Sequence, residues 1–432
     1  MINLEGSKSI ANRAQIIKYI CQLQTGKTIN LTNLGSCEDI KILKKGLEIL
    51  ALKSQKKTAH KSKVKINLGN AGTAVRFLTT LASSSQATKH KHLHITGSKR
   101  MQQRPIEALT DVLTKLGAQI QTNKKGCPPL QITPTPLKGG SFSIPGNISS
   151  QYLTSLLLAS PLMKKGLKIR VREALVSKPY IEMTIALMKK CGVEVEASQT
   201  FRTLKVKPNQ KYRPPRAPRN GDLIIEGDAS SASYLGEYAV FRSMLDQKPY
   251  TVEIANLPIN SIQGDIRFLE YLDQMGAKFS FRNKVLKITG QPILKSLGKI
   301  DMNAEPDLVM TFAILSAFAT PKGEKTRIVN IENLRIKESD RISALQNELR
   351  KLGVKVRTGK DWIEITSRGP ITPATHKRTP RAKIKTYKDH RIAMAFGVLK
   401  KTIMPKISIK NPSVVSKSYP KFWSDLNKLK RS

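Results

Sequence analysis

The sequence predicts an α/β protein of two domains, and three observations predict it. An amphipathic helical run, a glycine and a short β-like run recur along the chain. The 432 residues exceed one typical hydrophobic core, since domains usually run to roughly 100 to 200 residues. The composition, 39% hydrophobic and 25% charged, is that of a globular chain able to bury its cores and not disordered.

The clearest copies of the recurring unit are Ile106 to Leu116 before Gly117, Ile181 to Cys191 before Gly192, Ile266 to Met275 before Gly276, and Ile342 to Leu352 before Gly353. Each glycine falls where a helix C-terminus needs a residue tolerant of positive φ. The glycines lie 75, 84 and 77 residues apart, too far for common solenoids, which favours compact domains over an open array. Weaker copies at Ile40 to Leu52 and Phe422 to Leu429 make six, or two pseudo-symmetric halves of three. The Pro- and Arg-rich stretch from Lys211 to Gly221 breaks the pattern and reads as a loop ahead of the crossing between halves.

Charge narrows the class of function. Lys and Arg number 75 against 31 Asp and Glu, a net +44 that by counterion release would favour nucleic acid. The basic residues are spread through nearly every segment, however, and the aromatic residues able to stack on bases make up only 5%. A diffuse surplus on solvated faces is the simpler description, and part of it would steer an anionic substrate inward. Cys21, Cys37, Cys127 and Cys191 show no metal-ligand spacing and no C-x-x-C, so they read as reduced thiols. With no apolar stretch of about 18 residues and no signal-peptide pattern, a cytoplasmic protein without a membrane partner is expected.

Short polar motifs bearing glycine or arginine punctuate the helical runs, and each suits an anion. Gly6-Ser7-Lys8-Ser9 precedes an apolar-periodic run, so Ser7 or Ser9 can cap a helix whose first amides attract negative charge, with Ser9 and Arg13 on one face. Alone, it describes an ordinary capped helix equally well. Gly69-Asn70-Ala71-Gly72-Thr73 enters another helix with Arg76 one turn later, and its small residues let a phosphate or carboxylate approach the backbone. The decoy Gly26-Lys27-Thr28 has Cys21 where an ATP-binding phosphate loop needs its first glycine, which disfavours ATP. Arg104-Pro105, Ser149-Ser150-Gln151 and Lys417 extend the set. From Arg335 to Arg341 five ionisable groups fall in seven residues, with Lys337 and Glu338 at helical spacings of four and three from Arg341. A salt-bridged solvated helix face is the alternative there. Asp389-His390-Arg391 sets an imidazole beside a guanidinium at a helix start, where a purely structural histidine is the alternative.

In order along the chain stand Gly-Ser-Lys-Ser, Gly-Asn-Ala-Gly-Thr-Ala, Arg-Pro-Ile, Ser-Ser-Gln, Ser-Lys-Pro-Tyr, Glu-Gly-Asp-Ala-Ser-Ser-Ala, Pro-Asp, Arg-Ile-Lys-Glu-Ser-Asp-Arg and Asp-His-Arg. Through them the chain closely resembles the 5-enolpyruvylshikimate-3-phosphate synthases over residues 2 to 426. The resemblance implies two pseudo-symmetric domains, residues 8–226 and residues 1–7 with 227–432, each of three βαβαββ-type repeats in an inverse α/β barrel-like arrangement. A cleft between them, closing to exclude water, would hold the site. The implied reaction transfers the enolpyruvyl group of phosphoenolpyruvate to the 5-hydroxyl of shikimate-3-phosphate and releases phosphate, on the shikimate pathway to chorismate and the aromatic amino acids. A monomer without cofactor, metal or specific nucleic acid is implied as well, arginines supplying the positive charge.

Carried over position by position, the resemblance assigns Lys8, Ser9, Arg13, Ser149, Ser150, Gln151, Ser177 and Tyr180 to shikimate-3-phosphate, the serine hydroxyls to its phosphate, and Asp307, Asn333 and Lys337 to its ring. It assigns Lys8, Asn70, Gly72, Thr73, Arg104, Gln151, Arg341, His390, Arg391 and Lys417 to phosphoenolpyruvate, clamped at its phosphate and carboxylate. Asp307 is the implied acid–base group at the 5-hydroxyl, and Glu338, Lys417 and Lys337 are candidates for the proton at C3, with Lys8 also close to the chemistry. His390 would position the clamp. Gly72 adds no methyl to the pocket, which implies sensitivity to glyphosate, an inhibitor of the family at the phosphoenolpyruvate site.

The sibling UDP-N-acetylglucosamine carboxyvinyl transferases carry a loop cysteine five residues before the arginine of their Arg-Pro pair, where this chain has Lys99. Together with Ser-Ser-Gln and Asp-His-Arg, this favours shikimate-3-phosphate over a sugar nucleotide. The chain departs from the family in three respects: Glu5 replaces a usual proline, the first motif stands almost at the start, and the charge is strongly basic. The second departure leads us to expect an edge strand to be missing and backbone groups to stand unpaired. A binding protein with the fold retained for nucleic acid would show steeply salt-dependent affinity, but the carboxylates Asp307 and Glu338 amid an anion site favour an enzyme.

Overall fold

A computed structural model describes residues 1–52, 64–216, 221–376 and 378–431. The chain divides into two compact units, Lys8–Ile225 and Met1–Ser7 with Glu226–Ser432. Lys8–Ile225 opens with α1 (Lys8–Thr25), β1 (Asn30–Thr32) and α2 (Glu38–Ala51). Next come β2 (Val64–Asn67), α3 (Gly72–Ala82), β3 (Leu93–Thr96), α4 (Glu107–Lys115), β4 (Gln119–Gln121) and β5 (Leu130–Thr133). The same order returns in β6 (Gly140–Pro145), α5 (Ser150–Ala159), β7 (Leu167–Arg172), α6 (Lys178–Lys190), β8 (Glu196–Ala197) and β9 (Thr203–Val206). Each stretch forms a four-stranded sheet, β2-β3-β5-β4 or β6-β7-β9-β8, with one parallel pair and two antiparallel pairs. Finally β10 (Asp222–Ile224) pairs in parallel with β1.

The other unit begins with α7 (Ala229–Asp246), β11 (Tyr250–Ile254), α8 (Phe268–Gln274), β12 (Lys278–Arg282) and β13 (Val285–Gly290), forming the sheet β11-β13-β12. It continues with β14 (Lys299–Asp301), α9 (Val309–Phe318), β15 (Lys325–Val329), α10 (Arg341–Lys351), β16 (Lys355–Thr358) and β17 (Ile363–Thr366), which repeat the four-stranded order. It ends with α11 (Pro373–His376), β18 (Lys383–Ile384), α12 (His390–Lys401), β19 (Ser408–Ile409) and α13 (Phe422–Arg431), β18 and β19 being parallel. The strand edge expected to stand bare is occupied by the first residues of the chain. Ile2 bridges Ile254 in parallel, donating to Glu253 O at 2.7 Å and accepting from Ala255 N at 3.0 Å. The Asn256 side chain then pairs both backbone groups of Leu4, at 2.9 and 2.6 Å.

The patterning explains which surfaces are hidden. In β7, Leu167, Ile169 and Val171 point inward while Lys168, Arg170 and Arg172 are exposed, the period of two that a half-buried strand requires. By contrast α9, the run VMTFAILSAF, is apolar all round and buried at every position, as an interior helix must be. Gly117, Gly192, Gly276 and Gly353 have φ of +101, +84, +102 and +78°, the left-handed conformation that ends a helix without a Cβ clash. The helical run read from Ile266 starts instead as a 3-10 turn, Gly264–Arg267, before α8. In the Pro- and Arg-rich stretch, residues 211–216 have no regular structure and residues 217–220 lie outside the described residues. All four cysteines are free and buried. Among the described residues no helix is long and apolar enough to cross a membrane.

Candidate active site

Within Lys8–Ile225, α3 packs on α5, α5 on α6, and α1 on all three. The motifs occupy the N-terminal ends of these helices. Lys8 and Ser9 form the first turn of α1, Gly72 and Thr73 that of α3, and Ser150 and Gln151 that of α5; Ser177 immediately precedes α6. None of the four helices has an acidic residue in its first turn. Their N-terminal dipoles therefore present positive charge that no carboxylate of the same turn offsets.

Capping differs in part from the reading of the first motif. Ser9 lies inside α1, and the buried Ser7 hydroxyl meets no hydrogen-bond partner among the described residues, so neither shows a capping bond. Ser149 does cap α5, accepting from Gln151 N at 3.3 Å. Ser177 is buried and left-handed, with φ +55°, a conformation costly for a residue with a Cβ and frequent at functional sites.

Arg104 is the most telling group in this unit. Its side chain is only 6% exposed, and its buried Nε and Nη1 meet no hydrogen-bond partner among the described residues. Buried charges are normally paired, and leaving one unpaired is costly, so these two open donors suit an anion chemically. It lies against Gly72, where an added Cβ would stand 2.6 Å from its Nη1. Beside it the Gln151 amide donates to Thr73 Oγ1 at 3.2 Å, joining α5 to α3. Asn70 sits half-buried in the turn ahead of α3.

Arg13 is differently placed. Its Nε donates to Thr184 Oγ1 at 2.8 Å, Nη1 to Ser9 O at 2.7 Å, and Nη2 to Tyr180 O at 3.1 Å and Thr154 Oγ1 at 3.4 Å. All three nitrogens are thus engaged, Nε and Nη2 in tying α1 to α5 and α6 and Nη1 within α1. Burial lowers its pKa to about 10, countered in part by Tyr180. Lys8 pairs with the buried Asp39 of α2 at 3.1 Å, a carboxylate no motif flagged.

In the other unit, carboxylates and cations form one network. Arg341 Nη1 meets Asp307 at 2.8 Å, Nε meets Asp389 at 2.8 Å, and Nη2 meets Glu338 at 3.3 Å. Arg391 Nη2 reaches the second Asp307 oxygen at 2.6 Å and Ser230 Oγ at 3.3 Å, and Lys417 Nζ lies 3.7 Å from Glu338. Burial alone would weaken the Arg341 cation, but Asp389, Asp307 and Glu338 outweigh it and hold its pKa above the ordinary value. Behind Ser230, which donates to it, the buried Asp265 carboxyl is pushed up to about 7 by desolvation and then by the charge of Asp307.

The segment from Arg335 to Arg341 is not one helix face. A 3-10 turn covers Glu332–Ile336, Lys337 is extended, and α10 starts afresh at Arg341 because the Asp340 side chain caps it, accepting from Ser343 N at 3.0 Å. Glu338 still reaches Arg341, but from the bend ahead of α10 rather than along a helix. Asp389 likewise caps α12 through Arg391 N at 2.9 Å, so the Asp-His-Arg motif combines a cap with the network. His390 is buried, its Nδ1 3.8 Å from Asp389, beyond hydrogen-bond reach. Asn333 is buried with both amide atoms free of partners among the described residues, and Lys337 is half-buried. Among the described residues no group of three or more His, Cys, Asp or Glu is placed to hold a metal ion.

Comparison with known proteins bears on both clusters. A profile of the EPSP synthase (3-phosphoshikimate 1-carboxyvinyltransferase) family matches residues 1–426. The 3-phosphoshikimate 1-carboxyvinyltransferase of Buchnera aphidicola subsp. Cinara cedri is 40% identical over 447 residues, covering 98% of this chain and 93% of the relative. That of Pseudoalteromonas atlantica is 38% identical over 443 residues, covering 99% and 95%. Among solved structures, EPSP synthase from Acinetobacter baumannii superposes with a TM-score of 0.72 at 22% identity, covering 99% of this chain and 95% of that one, a likeness of fold.

Proposed function

This chain belongs to the EPSP synthase (3-phosphoshikimate 1-carboxyvinyltransferase) family, and from that premise we propose how its own residues carry the reaction. The reaction transfers the enolpyruvyl group of phosphoenolpyruvate to the 5-hydroxyl of shikimate-3-phosphate and releases phosphate. The observation that carries the assignment of residues is Arg104, whose buried Nε and Nη1 have no partner among the described residues, at the bare face of Gly72. It would take the phosphate of phosphoenolpyruvate, with Asn70, Thr73, Gln151 and the uncompensated start of α3 around it. Arg341, Arg391, His390 and Lys417 would hold the remainder of that substrate. Ser149, Ser150 and Ser177, at the starts of α5 and α6, would take the 3-phosphate, with Ser9 and Tyr180 alongside. Arg13, whose nitrogens are engaged within the protein, would supply charge and hold Tyr180 and Ser9 in place. Asn333 and Lys337 would meet the shikimate ring, and Lys8 both substrates.

Two proton transfers are required. As the 5-hydroxyl oxygen bonds to C2 of phosphoenolpyruvate, its proton must leave and C3 must gain one. Asp307 would accept the first, its carboxylate held in place by Arg341 at one oxygen and Arg391 at the other. Glu338 and Lys417, 3.7 Å apart, would share delivery at C3. The tetrahedral adduct then loses phosphate with the electrons of its C2–O bond, and a proton leaves C3 to restore the double bond. The developing charge falls to the arginines.

The finer architecture belongs to the same proposal. The three β-α-β-α-β-β stretches, together with the shorter sheets, would be the units of two pseudo-symmetric halves, inverse α/β barrel-like, with buried helices such as α9 inside and half-exposed strands outside. A cytoplasmic monomer without a nucleic-acid partner fits this reading. The test is phosphate release by the purified protein, expected to saturate in both substrates and to need both. Asp307→Ala should abolish it; a folded wild-type protein that releases no phosphate with both present would sink the proposal.

A further inference from the structure

We propose that Tyr152 is a positioning residue for phosphoenolpyruvate: its hydroxyl, together with Arg76, holds the Pro105 carbonyl and so fixes the buried Arg104 guanidinium. The inference rests on the assignment of Arg104 to phosphoenolpyruvate made above.

Among the described residues Arg104 has no ion pair, and its buried Nε and Nη1 no hydrogen-bond partner, so its place comes from its backbone and its walls. The Arg104 amide closes a 3-10 turn on Met101 O at 3.1 Å, and the Ile106 amide donates to Gly126 O at 2.9 Å. Between them Pro105 has no N–H, and its carbonyl receives two donors, Tyr152 Oη at 2.6 Å and Arg76 Nη2 at 3.2 Å. The same Arg76 donates through Nη1 to Gly72 O at 3.2 Å and contacts Met101 Sδ at 3.4 Å. One side chain therefore spans both walls of the Arg104 site.

Tyr152 follows Gln151 on α5. Gln151 turns to Thr73 on α3, while Tyr152 turns to the Arg104 segment, so one helical turn fixes two sides of the site. The phenol is 1% exposed, and desolvation raises its pKa, which keeps it a donor through the physiological range. A misplacement of about 1 Å at a binding group can cost about 100-fold in rate, so a carbonyl anchored twice is a means of keeping Arg104 in register with its ligand.

The alternative is a core tyrosine that happens to find an acceptor. Tyr152→Phe in the full chain separates the two, since the ring remains and only the hydroxyl is lost. The expected result is a rise of about three- to tenfold in the KM for phosphoenolpyruvate, the equivalent of one ordinary hydrogen bond, with kcat and the KM for shikimate-3-phosphate little changed. In an Arg104→Lys background the same substitution should change that KM far less, because the group it positions is gone. An unaltered KM for phosphoenolpyruvate in Tyr152→Phe, with or without lowered thermal stability, would overturn the proposal, as would an equal effect in both backgrounds. If the wild-type protein transferred no enolpyruvyl group at all, the reading of the function would fall first and this inference with it.

Discussion

Substituting Gly72 by alanine places a methyl group directly against the Arg104 guanidinium. An ideal Cβ would stand 2.6 Å from Arg104 Nη1, 3.0 Å from Nη2 and 3.1 Å from Cζ, whereas ordinary contact starts at 3.4 Å. The guanidinium must therefore retreat by about 0.8 Å, the difference between 3.4 and 2.6 Å. The backbone itself tolerates alanine, because Gly72 is outside the left-handed region and begins a helix, where alanine gains up to about 1 kcal/mol. The loss should therefore fall on the ligand. Pulling a charge-assisted hydrogen bond beyond its range forfeits about 1.5 to 3 kcal/mol, or about 10- to 150-fold in affinity. The assay is steady-state phosphate release with phosphoenolpyruvate varied at saturating shikimate-3-phosphate. A tenfold or greater rise in the KM for phosphoenolpyruvate is expected, together with weakened inhibition by glyphosate if that compound competes for the same place. A KM within about twofold of wild type, or an equal rise for shikimate-3-phosphate, would refute the link from Gly72 through Arg104 to phosphoenolpyruvate.

Asp307→Asn retains an acceptor for one guanidinium but removes the base; kcat measured by phosphate release should fall by about 10² to 10⁴. Asp265 gives a pH signature. Its carboxyl, raised to about 7 from the ordinary 3.8, binds its proton more tightly in the native than in the unfolded chain. Stability must then fall as pH rises between about 4 and 7, and denaturant midpoints should show a flatter profile over that window in Asp265→Asn, with the variant gaining on wild type toward alkaline pH. Both carboxyl oxygens of Glu237 are buried in α7 without a partner among the described residues, and desolvation holds its pKa well above normal. Glu237→Met should stabilise the protein by about 1 to 3 kcal/mol near pH 7 in equilibrium unfolding, and a loss of stability would show that the carboxyl is paired in solution.

What the sequence made legible follows the range of the interactions involved. Gly117, Gly192, Gly276 and Gly353 could be read as helix ends because a C-terminus imposes a local demand on one residue. Gly72 and Arg104 were legible as motifs, but their contact was not, since 32 residues and a sheet strand separate them. For the segment from Arg335 to Arg341, helical charge spacing leaves a solvated helix face open as the alternative to a site role. The structure breaks it at Lys337, where the side chain of Asp340 outcompetes helix continuation by capping α10. Asp39 and Asp265 carried no local signal, and Ser230 only its place in the Glu-Gly-Asp-Ala-Ser-Ser-Ala motif: their importance comes from Lys8, Asp307 and Arg391, each far away in the chain. Tyr152 stood beside a recognised motif yet looked like any apolar position of α5, because its acceptor is a backbone carbonyl and no side-chain pattern encodes that.

The most direct measurement is the fate of the two phosphorus atoms, followed by ³¹P NMR with equimolar phosphoenolpyruvate and shikimate-3-phosphate. Carboxyvinyl transfer predicts one inorganic phosphate per phosphoenolpyruvate consumed, formed only with both substrates present, while the 3-phosphate remains on the enolpyruvyl product. Phosphate released from phosphoenolpyruvate without shikimate-3-phosphate, or loss of the 3-phosphate, would contradict the account.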